Sequence, residues 1–191
     1  MAPSTMQPPP QPRTRRRRLL GAVILFLALA WFGGTAGVRW WVDRQVHRND
    51  GRALPAFAVR DLAGVEVRDT SLRGRTVVLN FFRSRCPSCV AEAPAIRALA
   101  AELDPARYEV VGVITDAVLG FPAAETQATL DRMAYRHRVL RADAAMLQAF
   151  HGQGWAHVTP VTYVVDPEGR VVQSLRGHQD LAALRTAVRG G

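Results

Sequence analysis

Apolar positions change their period several times along this chain, and each change marks an element. Leu19 to Val38 is continuous, twenty residues without a charge. At about 1.5 Å per helical residue it reaches about 30 Å, the thickness of bilayer hydrocarbon, which predicts a membrane-spanning helix. Val42 to Leu54 turns polar and reads as a tether. Ala56 to Asp61 and Val65 to Asp69 then predict two short strands about Ala63-Gly64, a hairpin. Thr76 to Phe82, β-branched and aromatic after Arg73-Gly74-Arg75, has the length of a buried strand. From Pro87 the apolar positions Val90, Ala93, Ile96, Leu99 and Ala100 recur at three and four residues, the face of a helix. Pro87 suits its first turn, where a missing N–H costs nothing, and Pro94 predicts a kink.

Tyr108 to Thr115 predicts a second buried strand and Asp116 to Pro122 a loop. Glu125 to Arg136 has helical spacing, Val139-Leu140 is a short strand, and a helix follows near Ala144 to Phe150. Val161 to Asp166 and Val171 to Leu175 form a hairpin about Pro167-Glu168-Gly169, and Leu181 to Val188 closes the chain as a helix. Strands alternating with helices predict an α/β layer with a parallel component.

Composition adds little to this pattern, but charge changes one reading. The 191 residues are 48% apolar with a net charge of +9, and every basic residue is arginine. Residues 1–48 hold eight arginines and one acid, while residues 49–191 hold seventeen arginines and fifteen acids. The basicity belongs mainly to the tail, which argues against nucleic-acid binding. The proline-rich and then arginine-rich residues 1–18 cannot pack a core and are expected to be a disordered cytoplasmic tail. Arginines directly before the apolar run keep that end inside, and Trp40 and Trp41 suit the far interface. The rest of the chain is then extracytoplasmic. A cleaved signal peptide is the competing reading, with Thr35-Ala36-Gly37 as small residues near a cleavage point.

The chemistry concentrates in Asn80 to Pro94, which holds the only two cysteines, Cys86 and Cys89, where the strand gives way to the helix. Cys86 falls at the helix N-terminus, where free backbone N–H groups and the helix dipole favour a thiolate, and Cys89 is one turn on. Arg83 and Arg85 either add to that field or stand as solvated loop arginines. A zinc site would need a second pair of ligands, whereas His47, His137, His151, His157 and His178 are scattered singly, and Val90 stands where haem attachment would need histidine. A redox dithiol is the reading that remains. In an oxidising compartment a lone C-x-x-C makes sense as a catalyst rather than a staple.

Residues 54–189 resemble the thioredoxin fold, and more narrowly the membrane-anchored extracytoplasmic thiol-disulfide oxidoreductases of the TlpA and ResA kind. The resemblance rests on Ser71-Leu72-Arg73-Gly74-Arg75, the N-F-F-x-x-x-C-P-x-C-x-A-E-x-P block from Asn80 to Pro94, and Val158-Thr159-Pro160 to Asp166. Arg85 departs from it, standing where the family usually has tryptophan, and the segment before Thr159-Pro160 is longer than usual. The fold it implies is a thioredoxin-like α/β domain over residues 54–191 with an N-terminal β-hairpin extension, preceded by the single transmembrane helix 19–38 and the tether 39–53.

By the same resemblance, Cys86 and Cys89 exchange disulfides with protein substrates through the C-P-S-C dithiol. Relatives usually act as reductases in cytochrome c or copper-site maturation, recycled by a membrane redox partner, and need no cofactor or metal. A copper-delivery protein with the two cysteines and a histidine as Cu(I) ligands is the alternative from another class, and a general disulfide oxidant is another. Glu92, three positions after Cys89, matches a glutamate with a proton-transfer role. Asn80 stands where thioredoxin itself has a buried aspartate. Thr159 and Pro160 match a cis-proline loop that binds substrate beside the dithiol. Trp155, in the lengthened glycine-containing stretch 151–157, is a candidate recognition residue.

Overall fold

The computed structural model describes residues 13–152 and 158–190. Trp155 and His157 lie outside the described residues, as do residues 1–12 of the expected disordered tail. Two compact units divide the chain between Val42 and Asp43. The first is helical from Arg13, so helix begins within the stretch expected to be disordered. Helix α1 runs Arg13–Val46. It is long and apolar enough to cross a membrane, and its most apolar window has no buried share. Leu20, Ile24, Phe26, Trp31 and Phe32 are all exposed. By length and composition the helix is a candidate membrane span.

The second unit holds a seven-stranded sheet ordered β2-β1-β5-β4-β3-β6-β7. In chain order its elements are β1 (Ala58–Asp61), β2 (Glu66–Arg68), β3 (Thr76–Phe82), α2 (Pro87–Glu102), β4 (Tyr108–Ile114), α3 (Asp116–Leu119), α4 (Ala123–Met133), β5 (Arg138–Arg141), α5 (Ala144–His151), β6 (Val161–Val165), β7 (Val171–Arg176) and α6 (Leu181–Arg189). Strands β3, β4 and β5 run parallel, and β1 and β6 flank them antiparallel. The expected loop after β4 contains the short helix α3. The hairpin β1–β2 does more than precede the motif, because β1 pairs with β5 and extends the sheet.

Every residue of β3 is buried, so its alternation sorts side chains between two faces. Val77, Leu79 and Phe81 join the core with Met146, Leu147 and Phe150 of α5. Val78 and Phe82 face the opposite way, toward Ile96 and Leu99 of α2, Leu184 of α6 and Met133 of α4. Asn80 shares this second parity, which sends it toward α2. On the first face the His151 ring lies 4.8 Å from that of Phe81, and burial pushes its pKa down to about 4.

The stretch 39–53, expected as a tether, carries more structure than a polar linker. Helix α1 continues to Val46 and a 3-10 turn spans His47–Asn49. Within the second unit Asp43 pairs with Arg176 at 2.6 Å, and Asn49 Nδ2 donates to Phe150 O at 3.1 Å. Arg48 donates to the carbonyls of Gln148 and Ala149. These polar side chains bond the last carbonyls of α5, joining the cap bond from Gly152 N at Gln148 O and supplying donors to Ala149 O and Phe150 O. Backbone bonds from Gly51 N to Val171 O and from Leu54 N to Gly169 O continue the attachment at the start of β7 and in the turn before it.

Candidate functional site

Parallel strands β3 and β4 end side by side, with Phe82 opposite Ile114 in the register. Two residues beyond each end, Ser84 and Asp116 therefore meet. Asp116, 1% exposed, accepts from Ser84 N at 2.7 Å, from Ser84 Oγ at 2.5 Å and from Thr126 Oγ1 at 2.8 Å. Ser84 Oγ also lies 2.6 Å from Thr129 Oγ1. The clamp ties the loop before the cysteines to the sheet and to α4. Asp116→Ala would strand the Ser84 amide and the Thr126 hydroxyl and leave Ser84 Oγ only Thr129 and Glu125, so unfolding in urea is expected to show a stability loss of about 2 kcal/mol or more. A loss below about 1 kcal/mol would show that the loop is held elsewhere.

Next in the loop is Arg85, in the left-handed region at φ 53. A non-glycine residue there costs of order 1 kcal/mol and needs surrounding structure to impose it. Its guanidinium forks onto Glu125, with Nε to Oε1 at 2.7 Å and Nη2 to Oε2 at 2.8 Å, and lies 5.4 Å from the Phe121 ring centroid. The hydrogen bond from Arg85 holds the Glu125 carboxyl below its usual pKa.

That turn delivers Cys86 as the N-cap of α2, with Pro87 in the first turn. Cys86 and Cys89 are joined by a disulfide with Cα atoms 5.3 Å apart. Cys86 Sγ accepts from Cys89 N at 3.2 Å, so an end-of-helix amide is aimed at the outer sulfur. Thr159 Oγ1, 3.5 Å away, points at the same sulfur, and the Thr159–Pro160 bond is cis. Cys86 borders an open cleft of about 460 Å³. Cys89, only 1% exposed, sits a turn deeper.

Glu92 lies one turn beyond Cys89 on the same face of α2, and at 1% exposure it is a buried carboxyl. Oε2 accepts from Asn80 Nδ2 and Oε1 from Gln179 N, both at 2.9 Å. Burial raises its pKa, while the Asn80 and Gln179 bonds and the charge of His178 pull it back. Asn80 Nδ2 also donates to Thr162 Oγ1 at 3.0 Å, and Tyr135 OH donates to Asn80 Oδ1 at 3.4 Å. Burial and the Glu92 charge raise the Tyr135 pKa. The amide is the junction of this network, joining β3, α2, β6 and the α4–β5 connection.

The structure thus brings together Cys86, Cys89 and Thr159-Pro160, with Glu92 a turn below the inner cysteine. Asp116, Ser84 and Tyr135 were not foreseen from the sequence. Polar residues just beyond two neighbouring parallel strands were the signal available for the first two, since such strand ends gather side chains at one edge. Among the described residues no group of three or more His, Cys, Asp or Glu side chains comes together to hold a metal.

Comparison with known proteins agrees with this geometry. The model of the AhpC/TSA family matches residues 51–174. The thiol-disulfide oxidoreductase ResA of Bacillus cereus is 27% identical over 171 residues, covering 86% of this chain and 91% of its own. ResA of Geobacillus thermodenitrificans is 28% identical over 166 residues, covering 86% and 90%. Among solved structures, a thiol:disulfide interchange protein of the thioredoxin family from Chlorobium tepidum superposes with a TM-score of 0.61 at 22% identity, covering 72% of this chain and 93% of that one. That likeness is one of fold, and the fold is thioredoxin-like.

Proposed function

Because the chain belongs to the AhpC/TSA family and sets two cysteines at the head of a helix in a thioredoxin fold, we propose that it is a membrane-tethered, extracytoplasmic thiol-disulfide oxidoreductase acting on protein substrates. The observation that supports this best is the unequal setting of the sulfurs. Both are nearly buried, Cys86 at 4% and Cys89 at 1% exposure, but only Cys86 lines the cleft and faces Thr159.

Reduced, Cys86 is the nucleophile, its thiolate favoured by the Cys89 amide and the N-terminal end of α2. It attacks one sulfur of a substrate disulfide, forming a Cys86–substrate bond as the substrate S–S bond breaks, and the departing sulfur takes a proton. Cys89 then attacks Cys86 Sγ and expels the second substrate sulfur as a thiol. Two electrons and two protons pass to the substrate, and the chain is left with the Cys86–Cys89 disulfide. Glu92, on the Cys89 face of the helix, accepts the proton that Cys89 loses when it attacks. The segment Thr159-Pro160 positions the substrate against Cys86.

In this reading the protein works as a reductase in cytochrome c or metal-site maturation and is recycled by a membrane redox partner. Helix α1 holds it in the inner membrane with the arginine-rich end inside, which the positive-inside rule favours. Equilibration of the full-length protein with defined thiol-disulfide buffers tests the direction. A reductase is expected to equilibrate near the ~ −270 mV of thioredoxin, whereas a value near the ~ −120 mV of strong periplasmic oxidants would make the chain a disulfide donor.

A further inference from the structure

The cleft bordered by Cys86 is cationic, and the dithiol chemistry does not by itself require that. Arg83, Arg85 and Arg132 line it, with Pro87 and Val90 as apolar floor, and no carboxylate is among its lining residues. The three cations differ in what already occupies them. Arg85 is neutralised by its fork onto Glu125. Arg83 Nη1 is spent on the carbonyls of Ser84 and Arg85, bonds that do not cancel its charge. Arg132, exposed in the last turn of α4, has no hydrogen bond or ion pair among the described residues. Two uncompensated positive charges therefore flank the approach to Cys86 Sγ, and the positive end of α2 points the same way.

We infer that this cleft is a specificity subsite for an acidic polypeptide segment next to the substrate cysteine. The inference rests on the oxidoreductase reading and names the class of substrate that the site selects. Three observations support a polypeptide. The cleft is open rather than enclosing, its floor at Pro87 and Val90 suits the stem of a side chain, and it starts at the sulfur that must bond the substrate. Carboxylates in the residues beside the reacting cysteine would meet Arg132 and Arg83, while lysines there would be repelled. Such complementarity acts mainly on the rate of encounter and weakens as salt screens it.

The test uses the full-length oxidised protein in neutral detergent and two single-cysteine peptides of equal length, one with aspartates and one with lysines flanking the cysteine. Each peptide thiolate attacks Cys86 Sγ, the Cys86–Cys89 bond breaks, and Cys89 leaves as a thiol, so the rate of mixed-disulfide formation is read by acid quench and mass spectrometry. At low ionic strength the acidic peptide is expected to react about tenfold faster, an advantage that shrinks several-fold in ~0.5 M salt. Arg132→Glu is expected to erase or invert the preference and Arg132→Ala to halve it or more, with reduction by dithiothreitol, whose thiolate carries no flanking charges, changed much less in both. Equal rates for the two peptides, or a preference that survives Arg132→Glu, would overturn the inference and leave the oxidoreductase reading standing. Failure of dithiothreitol and both peptides to open the disulfide would remove both.

Discussion

Cys89→Ser is expected to convert a transient intermediate into an isolable one. Expressed in cells with its membrane helix, the variant should accumulate covalent complexes with partner proteins that run as discrete bands without reductant and collapse when reductant is added. Cys86→Ser should trap little, because Cys89 does not line the cleft that Cys86 borders and is buried. The asymmetry follows from exchange chemistry, in which only one sulfur meets the substrate and the other only resolves. Copper delivery predicts a different pattern. Both sulfurs would then be ligands, loss of either would weaken Cu(I) binding comparably, and no covalent partner would form. Symmetric loss of tight stoichiometric copper, with no trapped protein, would replace the oxidoreductase by a metal carrier.

The parts of this site that were legible beforehand share one property, which is that their signal is local. Cys86 at a helix start could be read because an apolar strand, two cysteines and a 3.6-residue period follow one another directly. Glu92 came from the family resemblance, with which its helical spacing from Cys89 agrees. Thr159-Pro160 needed the family resemblance, since a proline before a strand is compatible with an ordinary turn.

What was not legible depends on which distant segments become neighbours. Asp116 reads as the first residue of a loop until β4 is known to lie parallel to β3, and only then does it fall under Ser84. Gln179, which donates its amide to Glu92, approaches from the far end of the chain. Arg48 and Asn49 look like linker residues by composition, because a side chain that caps the carbonyls of another helix has the same polarity as one that faces water. The pairing of β1 with β5 was hidden for a similar reason, since a hairpin's own spacing does not say which sheet edge it joins.

Glu92→Gln should separate a proton-transfer role from a structural one. If Glu92 takes the proton from Cys89, the variant is expected to slow resolution of the Cys86 mixed disulfide by about 10²-fold and to flatten the pH profile of that step. Folding stability supplies the independent readout. Burial raises the Glu92 pKa above its ordinary 4.5, so over the interval between the unfolded and folded values the native chain holds more proton than the unfolded one. The resulting stabilisation is fully present below about pH 4.5 and is lost as pH rises through the folded value. Glutamine cannot titrate, and its Nε2 must face either Asn80 Nδ2 or the Gln179 amide, donors that now meet a donor. That clash lowers stability by a constant amount at every pH. The difference between variant and wild type in urea midpoint should therefore slope with pH, Glu92→Gln gaining on the wild type from pH 4 toward pH 8, upon a fixed offset. Parallel stability curves would mean that Glu92 titrates alike folded and unfolded, and an unchanged resolution rate would confine the residue to holding Asn80 and Gln179 in place.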